Sequence, residues 1–408
     1  MSQGDAEITI VARGGHPDFL DLPWGTPLEG WDHERMTKMA HGVSRHIVRF
    51  VRYGDRVYAL KETEAGIARQ EYDVLRTLRE EHLPVVEPVG VVTGAEGAPA
   101  MLITRYLDFS LPYWYILGRD EPALADKLVN AAVVLLVRLH LERVFWGDCS
   151  LSNILFRRDA GAMMAYMVDA ETTERHRTLS DGMRQYDLDI ARENIIGGLM
   201  NLQAEGRVPD DLDPIDVADE LHERYERLWD ELTRTESFDV DQRWRIERRI
   251  RSINDLGFDV EELSIERSGS ALQIKPILVE EGHHYRELRR RTGLEVQENQ
   301  ARRLLADIEN HRAWLEASSG RTTPAAVAAA RWLADVYEPV IESVPDALLA
   351  RLEAPELFHH LLEHRYYLSE QLRREVSHSE SLADYLETVL SQQPSERQLD
   401  FVGEDPEA

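Results

Sequence analysis

Residues 47–53 and residues 56–61 are both rich in β-branched and aromatic side chains, and only Gly54 and Asp55 separate them. This composition is typical of β-strands, and a short Gly/Asp connection is typical of the tight turn between two antiparallel strands. The pattern therefore predicts a β-hairpin whose second strand ends at Lys61, a charged residue after an apolar stretch.

The residues around this hairpin complete a small sheet that carries one helix. Residues 67–78 place apolar side chains at helical spacing, whereas residues 85–92 and residues 100–106 have strand composition. Residues 40–107 should therefore form a mostly antiparallel sheet with a single helix. Residues 1–30 are rich in glycine and proline and predict an irregular arm ahead of the sheet.

Helical patterns dominate the chain after residue 107. Apolar side chains recur at spacings of three and four, and one further hairpin is predicted over residues 263–278. The predicted helices cover residues 123–141, 187–202, 214–232, 284–291, 295–317, 324–337 and 355–376. This succession of a small sheet and a larger helical part predicts an α+β fold class.

The bulk composition excludes several classes of partner. Of the 408 residues, 43% are hydrophobic, which indicates a globular chain, and the formal net charge is −28. Such an excess of acidic groups argues against nucleic-acid binding, because phosphate backbones are bound through clustered Lys and Arg. The longest apolar run, residues 131–137, is far shorter than the roughly 18 residues that a membrane span requires.

The cysteine content and the first residues of the chain indicate a compartment. Cys149 is the single cysteine, so no intrachain disulfide can form. Residues 1–10 are acidic and lack the basic and apolar regions of a signal peptide. Both features favour a reducing, cytoplasmic location.

The strongest chemical signal lies in residues 146–156, which read WGDCSLSNILF. Asp148 precedes Asn153 by five residues, and Asp169 follows sixteen residues later at the end of an apolar run. Phosphoryl transfer from ATP requires a carboxylate beside the attacking hydroxyl, and an amide and a second carboxylate that hold Mg²⁺ against the phosphates. We therefore predict Asp148 as the catalytic base, and Asn153 and Asp169 as ligands of the metal.

Lys61 and Glu71 complete this set of candidate residues. Lys61 ends a strand and Glu71 lies on the following helix, the arrangement in which a lysine binds the α- and β-phosphates and a glutamate steadies it. Each residue also has a simpler explanation: an exposed ion pair for Lys61 and Glu71, a local polar turn for the loop residues, and a strand-ending aspartate for Asp169. Their occurrence in the required order favours the functional interpretation.

Taken together, these motifs resemble the protein-kinase-like superfamily, and in particular its compact bacterial branch of lipopolysaccharide (Kdo/heptose) kinases and RIO-type proteins. The loop of that branch reads H-G-D-x-S-x-x-N, and residues 146–153 read WGDCSLSN. Leu139 and His140 match a Leu-His pair ahead of the loop. Asp187 matches the aspartate that opens the next helix and supports the loop through hydrogen bonds to its backbone.

The resemblance covers roughly residues 38–205 and implies a bilobal fold that uses ATP and Mg²⁺. The remainder is similar to an uncharacterised helical extension of actinobacterial kinase-like proteins, for which no activity is implied. The predicted domains are an irregular arm (1–37), a sheet lobe (38–107), a helical lobe (108–205), a mainly helical C-terminal domain with one hairpin (206–391) and an acidic tail (392–408).

The sequence departs from the kinase pattern at three places. Trp146 replaces the loop histidine, and Asp169-Ala170-Glu171 replaces D-F-G. The segment before the first hairpin contains one glycine, Gly42, where protein kinases have three; we predict that Gly42 and Ser44 contact the ATP phosphates.

Two functions from different classes therefore remain open. The first is a phosphotransferase that uses ATP and Mg²⁺ to modify an unidentified hydroxyl acceptor. The second is a pseudokinase without catalysis, which binds nucleotide or nothing and recruits a protein partner through its C-terminal helices.

Overall fold

The computed structural model describes residues 9–39, 46–94, 99–119, 121–234, 236–238, 253, 260–268, 271–278 and 282–397. Its first part is a six-stranded antiparallel sheet. The strands are β1 (Thr9–Ala12), β2 (Met36–Thr37), β3 (Val48–Tyr53), β4 (Arg56–Thr63), β5 (Pro88–Thr93) and β6 (Ala100–Arg105), in the order β1-β5-β6-β4-β3-β2. The predicted hairpin is confirmed as β3 and β4, which pair from Tyr53 and Arg56 at the turn to Val48 and Lys61 at the open end.

The predicted irregular arm joins the sheet at two places, through β1 and β2. Thr9 pairs with Thr93 at one edge of the sheet, and Met36 pairs with Val51 at the other. The apolar residues between β1 and β2 pack on one face of the sheet, where Phe19 is fully buried. Burial of these apolar side chains stabilises the packing of the segment, although its glycine and proline content is typical of irregular chain.

Helix α1 (Ala65–Glu80) covers the opposite face of the sheet. It buries Leu75 and Leu78 in a cluster that includes Leu102 of β6. After the helix, Val85 forms an isolated bridge to Met167 instead of joining β5, so the strand predicted to start there begins at Pro88. We use the term sheet lobe for the six strands and α1.

The helical lobe follows. Its helices are α2 (Tyr113–Leu117), α3 (Pro122–Leu141), α4 (Asp181–Ala204) and α5 (Pro214–Thr233), and its short strands are β7 (Leu111–Pro112), β8 (Val144–Phe145), β9 (Ile154–Asp159), β10 (Ala162–Met167) and β11 (Glu174–Arg175). β9 and β10 form a hairpin with β7 on its outer side, and β8 pairs with β11.

Helix α5 belongs with this lobe and not with the domain predicted to begin at residue 206. Asp213 caps it by accepting a hydrogen bond from the backbone of Ile215, as the Asp-Pro sequence predicts. Its apolar side chains Leu221, Tyr225 and Leu228 are part of the same buried cluster as α3. The composition changes near residue 205, but the hydrophobic core continues through α5.

A second sheet and a second helical core follow. The strands are β12 (Glu236–Phe238), β13 (Val260–Ser268) and β14 (Ala271–Leu278) in the order β12-β14-β13, which confirms the predicted second hairpin and adds one strand. The helices are α6 (His283–Thr292), α7 (Glu298–Ser319), α8 (Ala325–Trp332), α9 (Glu338–Glu342), α10 (Asp346–Leu349), α11 (Ala354–Leu372) and α12 (His378–Thr388).

These last helices surround their own buried cluster, which contains Trp332, Phe358 and Tyr385. The predicted acidic tail begins with ordered structure, because Glu396 is buried and the backbone of Arg397 bonds to Ala350. The α+β class predicted from the sequence is confirmed. No helix in the described part of the chain combines the length and apolar character that crossing a bilayer demands.

Candidate active site

Lys61 lies in β4 and reaches Glu71 of α1 across the sheet lobe. The Lys61 Nζ atom is 3.0 Å from Oε2 and 3.2 Å from Oε1 of Glu71. Glu71 is fully buried, and one of its oxygens also accepts a hydrogen bond from the backbone N–H of Ala170. Burial raises the pKa of the Glu71 carboxyl, against the opposing charge of Lys61.

The same ammonium group binds Asp169, which follows β10. The Lys61 Nζ atom is 2.8 Å from Oδ2 of Asp169 and 3.5 Å from Oε2 of Glu171. Burial alone would lower the pKa of Lys61, but the charges of Glu71 and Asp169 outweigh it and raise that pKa. Lys61 in turn lowers the pKa of Asp169 against the effect of burial, so both groups stay charged.

Glu171 is a site residue that the sequence analysis did not select. Its Oε2 atom is 2.8 Å from Nε2 of His46, the first described residue after the glycine-containing segment. Carboxylate oxygens of Glu71, Asp169 and Glu171 all lie within 4.8 Å of one another. The sequence did contain a signal for Glu171, because it places an acidic residue two positions after Asp169, where the D-F-G pattern of kinases has glycine.

Asp148 and Asn153 meet in the loop between β8 and β9. The side-chain amide of Asn153 donates to the backbone oxygen of Asp148 at 2.9 Å and to Oδ2 of Asp148 at 3.3 Å. The other carboxylate oxygen accepts a hydrogen bond at 2.9 Å from Asn194 of α4. Asn194 also escaped the sequence analysis, because it lies 46 residues from Asp148.

Two further hydrogen bonds join the Asp148 loop to Asp169. The backbone N–H of Val168 donates to the backbone oxygen of Asn153 at 3.0 Å. The indole Nε1 of Trp146 donates to the backbone oxygen of Asp169, also at 3.0 Å. The structure thus brings Lys61, Asp148, Asn153 and Asp169, together with Glu71, into one connected set.

Asp187 supports the loop that contains Asp148 and Asn153. Its carboxylate accepts hydrogen bonds from the backbone of Trp146 at 2.7 Å and of Gly147 at 2.9 Å. Gly147 has a φ of 78°, and a Cβ there would lie 3.0 Å from a backbone oxygen of Thr172, so any other residue would strain the loop. Asp187 does not open its helix as predicted, because Ser180 caps α4 about two turns earlier.

His140 completes this support. It lies 3.0 Å from the Asp187 carboxylate through Nε2 and 2.5 Å from the Tyr225 hydroxyl through Nδ1. All three side chains are buried, and the tyrosine comes from α5. Asp187 therefore links the loop to the body of the helical lobe.

Two predicted site residues, Gly42 and Ser44, lie outside the described residues. Cys149 is buried beside the proposed base; burial and the nearby charges of Asp187 and Asp148 raise its pKa well above the ordinary value, which makes its thiol unreactive. A cavity of about 660 Å³ lies elsewhere, between the connection that follows β6, the β9–β10 hairpin and the residues near α6. Its lining includes neither Lys61 nor Asp169.

With this geometry in place, comparison of the sequence with known families identifies two regions. Residues 39–195 match the Lipopolysaccharide kinase (Kdo/WaaP) family. The predicted resemblance to the protein-kinase-like superfamily and to its lipopolysaccharide kinase branch is thereby confirmed, and the two lobes of this region have the expected kinase-like order. Residues 227–390 match a domain of unknown function, DUF4032.

No curated protein matches the chain. One similar solved structure is WaaP in complex with acyl carrier protein, at 17% identity and a TM-score of 0.31, covering 54% of this chain and 90% of that one. Another is the yeast RNA Pol II CTD kinase CTDK-1 complex, at 15% identity and 0.27, covering 37% and 51%.

Proposed function

We propose that this chain is a phosphotransferase that uses ATP and Mg²⁺ to phosphorylate a hydroxyl group. The observation that supports the proposal best is the contact of one ammonium group, that of Lys61, with both Glu71 and Asp169. This contact lies inside the region that matches the lipopolysaccharide kinase family. The proposal includes an unidentified hydroxyl acceptor. It also includes contacts of Gly42 and Ser44, in the glycine-containing segment, with the ATP phosphates.

The donor atoms of the site fit a magnesium ion. Mg²⁺ prefers oxygen ligands, and Asp169 and Glu171 supply carboxylates close together. The side-chain nitrogen of Asn153 donates hydrogen bonds to Asp148, so the side-chain oxygen is the atom of this amide that can bind a cation. Bound Mg²⁺ and ATP would supply the phosphoryl group and offset its negative charge.

Lys61 and Glu71 would position the nucleotide. Lys61 offers a compact positive charge to phosphate oxygens, while Glu71 holds the lysine side chain from behind. Because Glu71 is fully buried, it cannot approach the solvent-exposed end of a substrate itself. Its role is to fix the lysine.

Asp148 would accept the proton of the acceptor hydroxyl. Its two carboxylate oxygens receive hydrogen bonds from Asn153 and Asn194, which limit rotation of the side chain. A fixed carboxylate loses less entropy when a hydroxyl is bound beside it.

The single cysteine fits the proposed cytoplasmic location, where thiols stay reduced.

A pseudokinase is the second candidate. The observation that favours it is the pairing of Lys61 with two acidic side chains after β10, Asp169 and Glu171, since this pairing occupies the lysine that should bind phosphate. In that case the region of residues 227–390 would recruit a protein partner.

Calorimetry with ATP, with and without Mg²⁺, tests the proposal together with an assay for phosphate release or transfer. We expect binding to be stronger with Mg²⁺, and Asp169→Ala to remove this Mg²⁺ dependence. Binding that is unchanged by Mg²⁺ in the wild type, with no turnover, would instead support the pseudokinase. Absence of any nucleotide binding would rule out the phosphotransferase and would favour a pseudokinase that recruits only a protein partner.

A further inference from the structure

The hairpin of β9 and β10 carries a residue of the proposed site at each end. Asn153 comes directly before β9, and Asp169 is the second residue after β10. The hydrogen bond between the Val168 N–H and the Asn153 oxygen closes the hairpin at this end. The position of the hairpin therefore determines where the amide and the carboxylate lie.

The opposite end of the hairpin is a two-residue turn that binds a carboxylate from α11. Ala160 and Gly161 have φ angles of 49° and 85°, as tight turns between antiparallel strands require. Oε2 of Glu356 accepts a hydrogen bond from Ala160 N at 2.7 Å, and Oε1 accepts one from Gly161 N at 3.4 Å. Glu356 is only 1% exposed, so water competes little for these bonds.

A second carboxylate makes the reverse contact. Oδ1 of Asp159, at the end of β9, accepts a hydrogen bond from Gln300 N at 2.8 Å, and Oδ2 accepts from Asn299 N at 3.2 Å. Both N–H groups belong to the first turn of α7, where the helix itself provides no acceptor. Each side of the contact thus supplies a buried carboxylate to backbone N–H groups of the other.

Two ion pairs extend the contact to both faces of β9. Arg157 pairs with Glu353, and Arg158 pairs with Glu396 at 2.9 Å. Successive residues of a strand point to opposite faces, so the strand is held from both sides. Glu396 is 4% exposed, which places the start of the predicted tail inside this interface.

The hairpin is also bonded to the sheet lobe. The backbone N–H of Val86 donates to the oxygen of Met167 at 3.0 Å, and the N–H of Met167 donates to the oxygen of Pro84 at the same distance. The hairpin therefore connects the sheet lobe, the helical lobe and residues 282–397.

We propose that residues 282–397 act as a positioning domain, which holds the tip of the β9–β10 hairpin so that Asn153 and Asp169 stay in the geometry for binding a cation. The inference rests on the proposed function, because it assigns the cation to that site. Glu356 and Asp159 are positioning residues in this scheme. They act through the hairpin and contact neither nucleotide nor acceptor.

The first test compares full-length Glu356→Gln with the wild type. Mn²⁺ binding in the presence of ADP is measured by electron paramagnetic resonance, and ADP binding without metal by calorimetry. We expect the Mn²⁺ Kd to rise about tenfold or more, as is typical when a supporting partner of metal ligands is removed. Metal-free ADP binding should stay the same, because Lys61 and Glu71 are anchored in the sheet lobe.

The matched control is Arg374→Gln, which breaks an exposed ion pair with Glu380 in the same domain, away from the hairpin. It should leave the Mn²⁺ Kd unchanged. If Glu356→Gln lowers the melting temperature but binds Mn²⁺ as tightly as the wild type, the role of Glu356 is only structural and the proposal is overturned.

A second measurement separates this inference from the proposed function. Should the wild type bind neither Mn²⁺ nor nucleotide, the proposed function fails, and hydrogen exchange then decides whether the domain holds the hairpin. In Glu356→Gln the Val168 amide should exchange about tenfold faster, while the Leu102 amide in β6 serves as the reference for global stability. Equal exchange at Val168 in both proteins would overturn the inference.

Discussion

The indole nitrogen of Trp146 donates a hydrogen bond to the backbone oxygen of Asp169, 3.0 Å away. Trp146 is fully buried, and its own backbone N–H is bonded to Asp187. Trp146, which replaces the histidine of the kinase loop pattern, therefore connects Asp187, which supports the loop, to Asp169, the proposed metal ligand.

This contact predicts the effect of Trp146→Phe. Phenylalanine fills most of the space but has no N–H, so the oxygen of Asp169 loses its partner, at a cost of about 1–3 kcal/mol. We expect the Mg²⁺ concentration for half-maximal activity to rise, measured by titrating Mg²⁺ at saturating ATP. Trp146→His, which restores a ring N–H, should recover part of the loss; equal defects in both variants would contradict the role of this hydrogen bond.

Removal of the positive charge in the sheet lobe should affect stability as well as binding. Lys61→Met leaves the buried Glu71 carboxylate without its cation, which should lower the free energy of unfolding by about 3 kcal/mol. Chemical denaturation measures this change, and calorimetry should show that ATP binding is lost.

The double variant Lys61→Met with Glu71→Gln is the control. It removes the uncompensated charge, so stability should largely return while ATP binding stays absent. If ATP binding also returns, Lys61 does not bind the phosphates.

The loop carboxylate should be needed for turnover and not for nucleotide binding. Asp148→Asn retains the size of the side chain but cannot accept a proton, so we expect turnover to fall roughly 10²–10⁴-fold with little change in ATP affinity. Asn194→Ala removes one hydrogen bond to Asp148 and should cause a smaller loss, since the carboxylate remains but is less fixed. Steady-state kinetics distinguish the two; full activity of Asp148→Asn would exclude it as the base.

The contact between the hairpin and α7 should give the stability a pH dependence. Burial raises the pKa of Asp159 to about 7, against the opposing hydrogen bonds from Gln300 and Asn299. An unfolded aspartate has a pKa of about 3.9, so between these values the folded chain binds a proton that the unfolded chain does not. The contribution of Asp159 to the free energy of unfolding therefore falls as the pH rises through this range.

Asp159→Asn lacks this titration. As the pH rises from about 5 to about 8, the free energy of unfolding of the variant should increase by on the order of 2 kcal/mol relative to that of the wild type. Urea denaturation across that range measures the change. A stability difference that does not change with pH would show that Asp159 is ionised throughout.

Local sequence patterns predicted the elements whose contacts are local. The hairpin of β3 and β4 depends on a turn between adjacent strands, and the spacing of Asp148 and Asn153 depends on one short loop. Such features are encoded within a few residues of one another, so composition and periodicity are sufficient to find them.

The rest depends on contacts between distant parts of the chain. β1 was missed because it pairs with β5 some eighty residues later, and Asn194 because it reaches Asp148 from another helix. Glu356 and Asp159 likewise contact partners about 140 to 200 residues away. No periodicity within one segment specifies its partner, since pairing is determined by the packing of the whole fold.

The packing of residues 9–39 has a practical consequence for work with shorter versions of this protein. Phe19 and Leu28 cover an apolar surface formed by Tyr58, Leu60 and Ile103. A fragment limited to the family match at residues 39–195 would leave that surface open to water. Proteins with an uncovered apolar patch of this kind tend to self-associate, so such a fragment should aggregate when expressed alone.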